Sequence, residues 1–209
     1  MTIAALCLFA MVTLAQKTIR VAAGKTDLVM QVSPKGRLYQ VYLGEKLQNA
    51  TDYDQLKWDV YAAADGAVCQ RGHEVCATSG AEDFFEPALA ITHADGNMST
   101  YLYFQGVEQK PVEGGAETII TLADKEYPVT VKLHYVAYPK QSVIKAWSEV
   151  THKEKAPITL WRYASTMLYF KSAKYFVTTY HSDWAKEGQP ETTQLISGKK
   201  IVDTKLGTR

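Results

Sequence analysis

The stretch "VTVKLHYVAY", residues 129–138, alternates apolar and polar side chains with a period of two. Val129, Val131, Leu133 and Tyr135 fall on one face and Thr130, Lys132 and His134 on the other, as in a strand with one buried side. It is one of several such runs. "ETIITLAD", "SVIKAWSEVTH" and "PITLWRYASTMLYF" are similarly rich in β-branched and aromatic residues, the composition of strands. The polar segments "DKEYP", "YPKQ" and "HKEKAP" separate them as turns, with proline at strand boundaries. Upstream, "LVMQVSPKGRLYQVYLG" predicts two strands around a Pro-Lys-Gly turn. No segment sustains the helical period, no βαβ alternation is present, and no fixed-length repeat suggests a propeller or solenoid. The pattern predicts an all-β chain folded as a large antiparallel β-sandwich. Residues 44–88 are the least regular and read as a long excursion from it.

Length and charge narrow the functional classes. The 209 residues are 46% hydrophobic, enough to bury one sizeable core, so residues 16–209 are expected to form a single domain. Lys and Arg total 23 against 22 Asp and Glu, for a net charge of +1. Nothing in that balance steers the chain toward nucleic acid or an anionic membrane.

Residues 1–15, "MTIAALCLFAMVTLA", are apolar and end in Thr13-Leu14-Ala15, a small-residue pattern suited to cleavage before Gln16. They read as a signal peptide, although no Lys or Arg precedes the apolar run; a buried N-terminal helix or strand is the alternative. The run is shorter than the ~18 residues a bilayer span needs, so no membrane span is expected. The chain is therefore expected to be exported, periplasmic or secreted.

Removal of the leader takes Cys7 with it and leaves Cys69 and Cys76 in "CQRGHEVC". A close, even pair in an exported chain reads first as a local disulfide. His73 between them makes a metal site conceivable, but structural zinc wants four ligands and no fourth stands nearby. Neither a metal nor a cofactor is expected.

The motifs of hydrolytic chemistry are absent. There is no Gly-X-Ser-X-Gly elbow, no phosphate-cradling glycine loop and no His-Glu-X-X-His pair. His181, Ser182 and Asp183 supply the residue types of a catalytic triad, yet neighbours on an extended strand point to opposite faces and cannot form that relay. Lys57-Trp58-Asp59 matches the barrel strand that carries a nucleophilic aspartate in some retaining glycosidases. Retention needs a second carboxyl group about 5–5.5 Å away on a rigid scaffold, and a strand-rich chain has no barrel to present one.

The second half of the chain carries a resemblance. "EDFFEPALAITHADGNMSTYLYFQG", "SVIKAWSEVTHKEKAPITLWRYASTMLYF" and "HSDWAKEGQPETTQLISGKKIVDTKLGTR" resemble, in order and spacing over roughly residues 80–209, the N-terminal domain of glycoside hydrolase family thirty-six α-galactosidases. That resemblance implies a β-supersandwich that precedes a (β/α)₈ catalytic barrel and packs on it. It also implies that parts of the sandwich approach the sugar site, sometimes that of a neighbouring subunit. Glu86-Pro87-Ala88-Leu89 is similar to the family's Arg-Glu-Pro-Ala segment, with Phe85 where the arginine would stand. "HSDWAKE" resembles the family's Gly-X-Trp-Ala-Arg-Glu turn, with Trp184 and Glu187 in matching positions and Lys186 in place of arginine.

On this resemblance Trp184, Asp183, Lys186, Glu187 and Glu86 are candidates to contact either the sugar or the barrel. An indole face flanked by polar groups suits a sugar, whose C–H groups stack while its hydroxyls bond; an anchoring role against the barrel is the reading preferred over direct sugar contact. "KKIVDTKLGTR" resembles the family's next strand, so the catalytic aspartates are expected beyond residue 209 and none within it. The partners implied are the parent's catalytic barrel, α-galactoside sugars bound through the parent, and a second copy in a homo-oligomer. A stand-alone carbohydrate-binding module, stacking sugars on Trp184, Trp161 or Trp147, is the alternative.

Overall fold

The computed structural model describes residues 17–57, 73–80, 86–170, 172, 174–181, 184–185, 187–196 and 198–203. The expected leader (1–15), most of "LKWDVYAA" and Cys69 lie outside them. Two compact units are present, residues 1–169 and residues 170–209.

The first unit is the β-sandwich. One layer is a three-stranded antiparallel sheet of β1 (Thr18–Ala23), β2 (Thr26–Val32) and β3 (Leu38–Glu45), in that order. The facing layer is a four-stranded meander of β5 (Tyr103–Val112), β6 (Gly115–Ala123), β7 (Val129–Tyr138) and β8 (Val143–His152). β4 (Leu89–Thr92) pairs antiparallel with β9 (Thr159–Tyr163) as a separate two-stranded ribbon. The one described helix is a single turn, α1 (Asp52–Gln55).

The expected core is the observed one. Val129, Val131, Leu133 and Tyr135 of β7 are buried together with Ile19 and Val21 of β1, Leu28 and Met30 of β2, and Ile120 and Leu122 of β6. β7 spans the ten residues whose alternation predicts it, and the Pro-Lys-Gly turn joins β2 to β3. Two expectations need correction. "PITLWRYASTMLYF" is strand only as far as Tyr163; beyond it Tyr169 leaves the ribbon, its carbonyl taking a 2.6 Å hydrogen bond from Gln40 Nε2. Strict alternation also fails on β7, where His134 and Val136 are buried too. His134 lies under the Trp147 indole, with ring centroids 4.6 Å apart, so aromatic stacking covers a face that a bare strand leaves wet.

The outer face of β2 is covered as well. Asp27, Val29 and Gln31 are buried because the excursion that follows β3 folds back across them. Tyr53 on α1 donates its hydroxyl to Asp27, and Gln31 Nε2 donates to the Leu56 carbonyl at 2.6 Å. Pro111 sits in β5, the edge of the four-stranded sheet, where its missing N–H costs no ladder bond. Gly115 is required at the start of β6, since a Cβ there would lie 1.9 Å from the Ala137 carbonyl oxygen.

The second unit is a hairpin, β10 (Tyr175–Tyr180) paired antiparallel with β11 (Pro190–Leu195). A two-stranded ribbon is marginal in water without something to pack on. Phe176 and Tyr180 alternate outward and are 61% and 69% exposed.

Candidate functional site

Within the sandwich unit, Glu86 lies at the mouth of the β4–β9 ribbon. The Ala164 N–H bonds to the Ala88 carbonyl at 2.8 Å, carrying the ladder past the strand ends. Arg162 of β9 grips Glu86 with two nitrogens, Nη1 to Oε2 at 2.9 Å and Nη2 to Oε1 at 3.3 Å. Phe85, where the resemblance leads one to expect an arginine, lies outside the described residues; the cation that Glu86 uses comes from across the ribbon.

Trp161 stands beside this pair. Arg162 is opposite Ala90 and Leu160 is opposite Ile91, so Trp161 is the extra residue of a β-bulge, a device that re-aims a side chain. Its indole is 68% exposed, and Nε1 donates to Thr92 Oγ1 at 2.7 Å. Leu160 and Tyr163 are exposed on the same strand. The group offers an indole face, an apolar row and a charge pair, which is chemistry of contact rather than of bond cleavage.

In the hairpin unit the loop after β10 carries the other candidates. The His181 N–H bonds to the Gln189 carbonyl at 3.1 Å, and the Gly188 N–H returns to the His181 carbonyl at 3.0 Å, so the loop is closed at its base. Ala185 has φ 64° and Gly188 φ 72°; the chain turns back through left-handed conformations. Trp184 rides on this turn with 87% of its surface exposed, and Glu187 is exposed beside it. Asp183 and Lys186 lie outside the described residues. His181 approaches Glu191 of β11 at 3.4 Å. The five candidates thus divide between the two units, with Glu86 in one and Trp184 and Glu187 in the other.

The third tryptophan is of a different kind. Trp147 of β8 is half-buried, pressed on His134, with Lys145 Nζ 5.1 Å from its ring centre. Cys76 is buried and has no disulfide partner among the described residues, and burial pushes its thiol up to about 12; the expected partner Cys69 lies outside them. His73 stacks on Tyr169 at 4.4 Å.

Sequence reasoning missed two groups. Arg162 carried no signal, because its role depends on a partner 76 residues away. His93 is the other. Its Nδ1 faces Glu154 Oε1 at 2.8 Å and its Nε2 faces Thr100 Oγ1 at 2.9 Å, while Tyr127 stacks on the ring at 3.5 Å. The order carboxylate, imidazole, hydroxyl looks like a nucleophilic relay, but Thr100 is wholly buried and no substrate can reach it. Burial pulls the Glu154 carboxyl upward, and the hydrogen bonds from His93 and the Ala94 N–H outweigh it, leaving the group below the ordinary glutamate range.

The fold has counterparts in known proteins. A family model, Glycosyl hydrolase family 36 N-terminal domain, matches residues 36–209, a longer span than residues 80–209. The chain is 26% identical over 215 aligned positions to the bifunctional alpha-galactosidase/sucrose kinase AgaSK of Mediterraneibacter gnavus, across 92% of this chain and 23% of that protein. Among solved structures, the galactosidase domain of AgaSK superposes with a TM-score of 0.73 at 23% identity over 87% of this chain and 28% of that one. The α-galactosidase AgaA of Geobacillus stearothermophilus gives 0.71 at 24% identity, again over 87% and 28%. The α-galactosidase of Lactobacillus brevis gives 0.70 at 18%, over 90% and 28%. The chain therefore spans about a quarter of the length of the proteins it matches. With the family model covering most of its length, the chain belongs to the glycosyl hydrolase family 36 N-terminal domain family.

Proposed function

We propose that this chain is the non-catalytic sandwich domain of an exported α-galactosidase-like glycoside hydrolase, in which it supports a catalytic barrel, helps shape the sugar site and contributes to oligomerisation. The observation that carries the reading is the match over residues 36–209 to a domain that makes up only about a quarter of the α-galactosidases compared. The exposed large apolar side chains support it. Leu160, Trp161 and Tyr163 in one unit, and Phe176, Tyr180 and Trp184 in the other, are exposed in the way a face made for a partner is. The barrel supplies the two catalytic aspartates in this reading, and Glu86, Trp184 and Glu187, with Asp183 and Lys186, contact it or its sugar. Export rests on residues 1–15.

The test is an assay of the purified chain on p-nitrophenyl α-galactoside together with sedimentation at rising concentration. The expected result is no turnover and weak self-association through the uncovered faces. Turnover by residues 1–209 alone overturns the reading, and a strict monomer at high concentration counts against a partner domain. The exposure of Trp184 and Trp161 favours one second reading, a stand-alone sugar-binding module. Saturable heat with galactose, melibiose or raffinose that Trp184→Ala or Trp161→Ala abolishes would establish it.

A further inference from the structure

The outer face of the four-stranded sheet carries a buried imidazole that is paired at one nitrogen only. His134 of β7 is buried, and its Nδ1 lies 2.7 Å from Glu117 Oε1 of β6. A carboxylate can only accept, so Nδ1 is the donor. Nε2 has no hydrogen-bond partner among the described residues. It faces Glu149 Oε1 of β8 at 3.6 Å, too far for a hydrogen bond. Glu117 is buried in turn, whereas the Glu149 side chain is open to solvent.

Strand register supplies the other neighbours. On β8, Trp147 is opposite His134, Lys145 is opposite Val136, and Glu149 is opposite Lys132 of β7. On β5, Lys110 bonds to Glu117 Oε2 at 2.9 Å, and Glu108 is opposite Ile119, itself opposite His134. The Trp147 indole lies flat on the imidazole, with ring centroids 4.6 Å apart and planes 11° apart, and Lys145 Nζ is 5.1 Å from the indole centre. Two carboxylates and an indole face thus converge on the imidazole, while the ammonium of Lys110 is taken up by Glu117.

With Nδ1 fixed as a donor, Nε2 decides the charge of the ring. Without a proton it is a buried lone pair turned toward a carboxylate, unpaired and repelled. With a proton it is a donor aimed at Glu149, and the resulting cation rests on the indole in a cation–π arrangement. Imidazole is the side chain whose charge ordinarily changes between about pH 5 and 8. We infer that His134 is a pH-sensitive latch: protonation at Nε2 draws Glu149 inward and clamps Trp147 over the sheet, and loss of that proton releases both. In the open state Lys132 is the neighbour left to Glu149. β8 is an edge strand, so the two states offer different surfaces to whatever lies beside it, with the Glu149 carboxylate neutralised in one and free in the other. The latch involves none of Glu86, Trp161 or Trp184; it goes beyond the accessory-domain reading and stands whether or not that reading holds.

The experiment follows side-chain nuclear magnetic resonance signals of the full 209-residue chain from about pH 5 to 8. The signals are the ring nitrogens of His134, assigned with His134→Gln, and the indole N–H of Trp147, assigned with Trp147→Phe. If His134→Gln does not fold, the imidazole is assigned through its proximity to the Trp147 ring. The expected result is that both His134 nitrogens carry protons at the acid end and only Nδ1 does at the alkaline end, with the Trp147 indole signal moving at the same midpoint. Glu149→Gln, a change at an exposed side chain, is expected to lower that midpoint by about 0.2–0.7 pH unit, because it removes one of the charges that favours the cation. A His134 ring that keeps one protonation state across the range, a Trp147 signal that does not follow it, or a midpoint unmoved or raised in Glu149→Gln would each overturn the assignment.

Discussion

Arg162 holds both carboxylate oxygens of Glu86, at 2.9 and 3.3 Å, although the two residues stand 76 apart in the chain. The neighbouring bulge turns Trp161 to solvent. A charge pair that joins distant strands looks structural, but the exposure of both side chains, 58% for Glu86 and 39% for Arg162, argues against a large stabilising role. Exposed pairs contribute about 0.2–1 kcal/mol. Arg162→Ala is therefore expected to change the unfolding free energy of the chain by less than about 1 kcal/mol, measured by urea denaturation. A loss several times larger would mean that the pair holds the ribbon together.

Gly24 makes the opposite prediction. It turns β1 into β2 with φ 61°, and a Cβ there would sit 2.2 Å from the Pro139 carbonyl oxygen. Both the left-handed backbone and the collision oppose any side chain. Gly24→Ala should cost at least about 2 kcal/mol, seen as a lower thermal midpoint with the slope of the transition preserved. Because Pro139 follows β7, the damage falls on the contact between the two layers.

Acid should weaken the sandwich. The hydrogen bond from His134, at 2.7 Å, is the main reason the Glu117 carboxyl is held below the ordinary glutamate range, and Lys110 at 2.9 Å adds to it. Asp95 is lowered too, by the Asn97 N–H and the Tyr127 hydroxyl. A carboxyl group lowered on folding stabilises the chain fully above its unfolded value, about 4.3 for glutamate, and that contribution disappears as pH falls through the lower folded value. Thermal midpoints should thus fall on acidification below about pH 4.3. Glu117→Gln should flatten part of that slope, and an unchanged slope would remove Glu117 from the account.

Cys76 should resist labelling. Its side chain is buried in the core and burial raises the thiol to about 12, so the thiolate that reacts is scarce and inaccessible. Iodoacetamide should leave Cys76 unmodified in the native chain at neutral pH, as read by mass spectrometry of its peptide. Repeating the labelling in denaturant without reductant tests the pairing with Cys69, since a bridged cysteine stays unmodified there as well. Cys76→Ser, which places a hydroxyl in the core, should cost about 1–3 kcal/mol.

Much of the sandwich is legible in a single strand. β7 runs from Val129 to Tyr138 because β-branched and aromatic residues two apart can all reach one side of a pleated backbone. The turn at residues 33–37 and the meander β6–β7–β8 follow from the same local rules of period and turn chemistry. These elements are encoded over a few residues, and a sequence displays what is local.

What only the tertiary structure decided is who meets whom. His134 has the position of a wet residue on an alternating strand, yet it is buried, because cross-strand pairing sets Trp147 against it. Arg162 becomes the partner of Glu86 only when β4 and β9 pair, and Glu154 reaches His93 only across 61 residues. Long-range pairing depends on the register of whole strands, which no window of the sequence contains. By itself the sequence determined the β2–β3 hairpin, the β6–β7–β8 meander and the family resemblance; the ion pair at Glu86, the bulge that exposes Trp161 and the burial of His134 exist because separate strands and loops close upon one another.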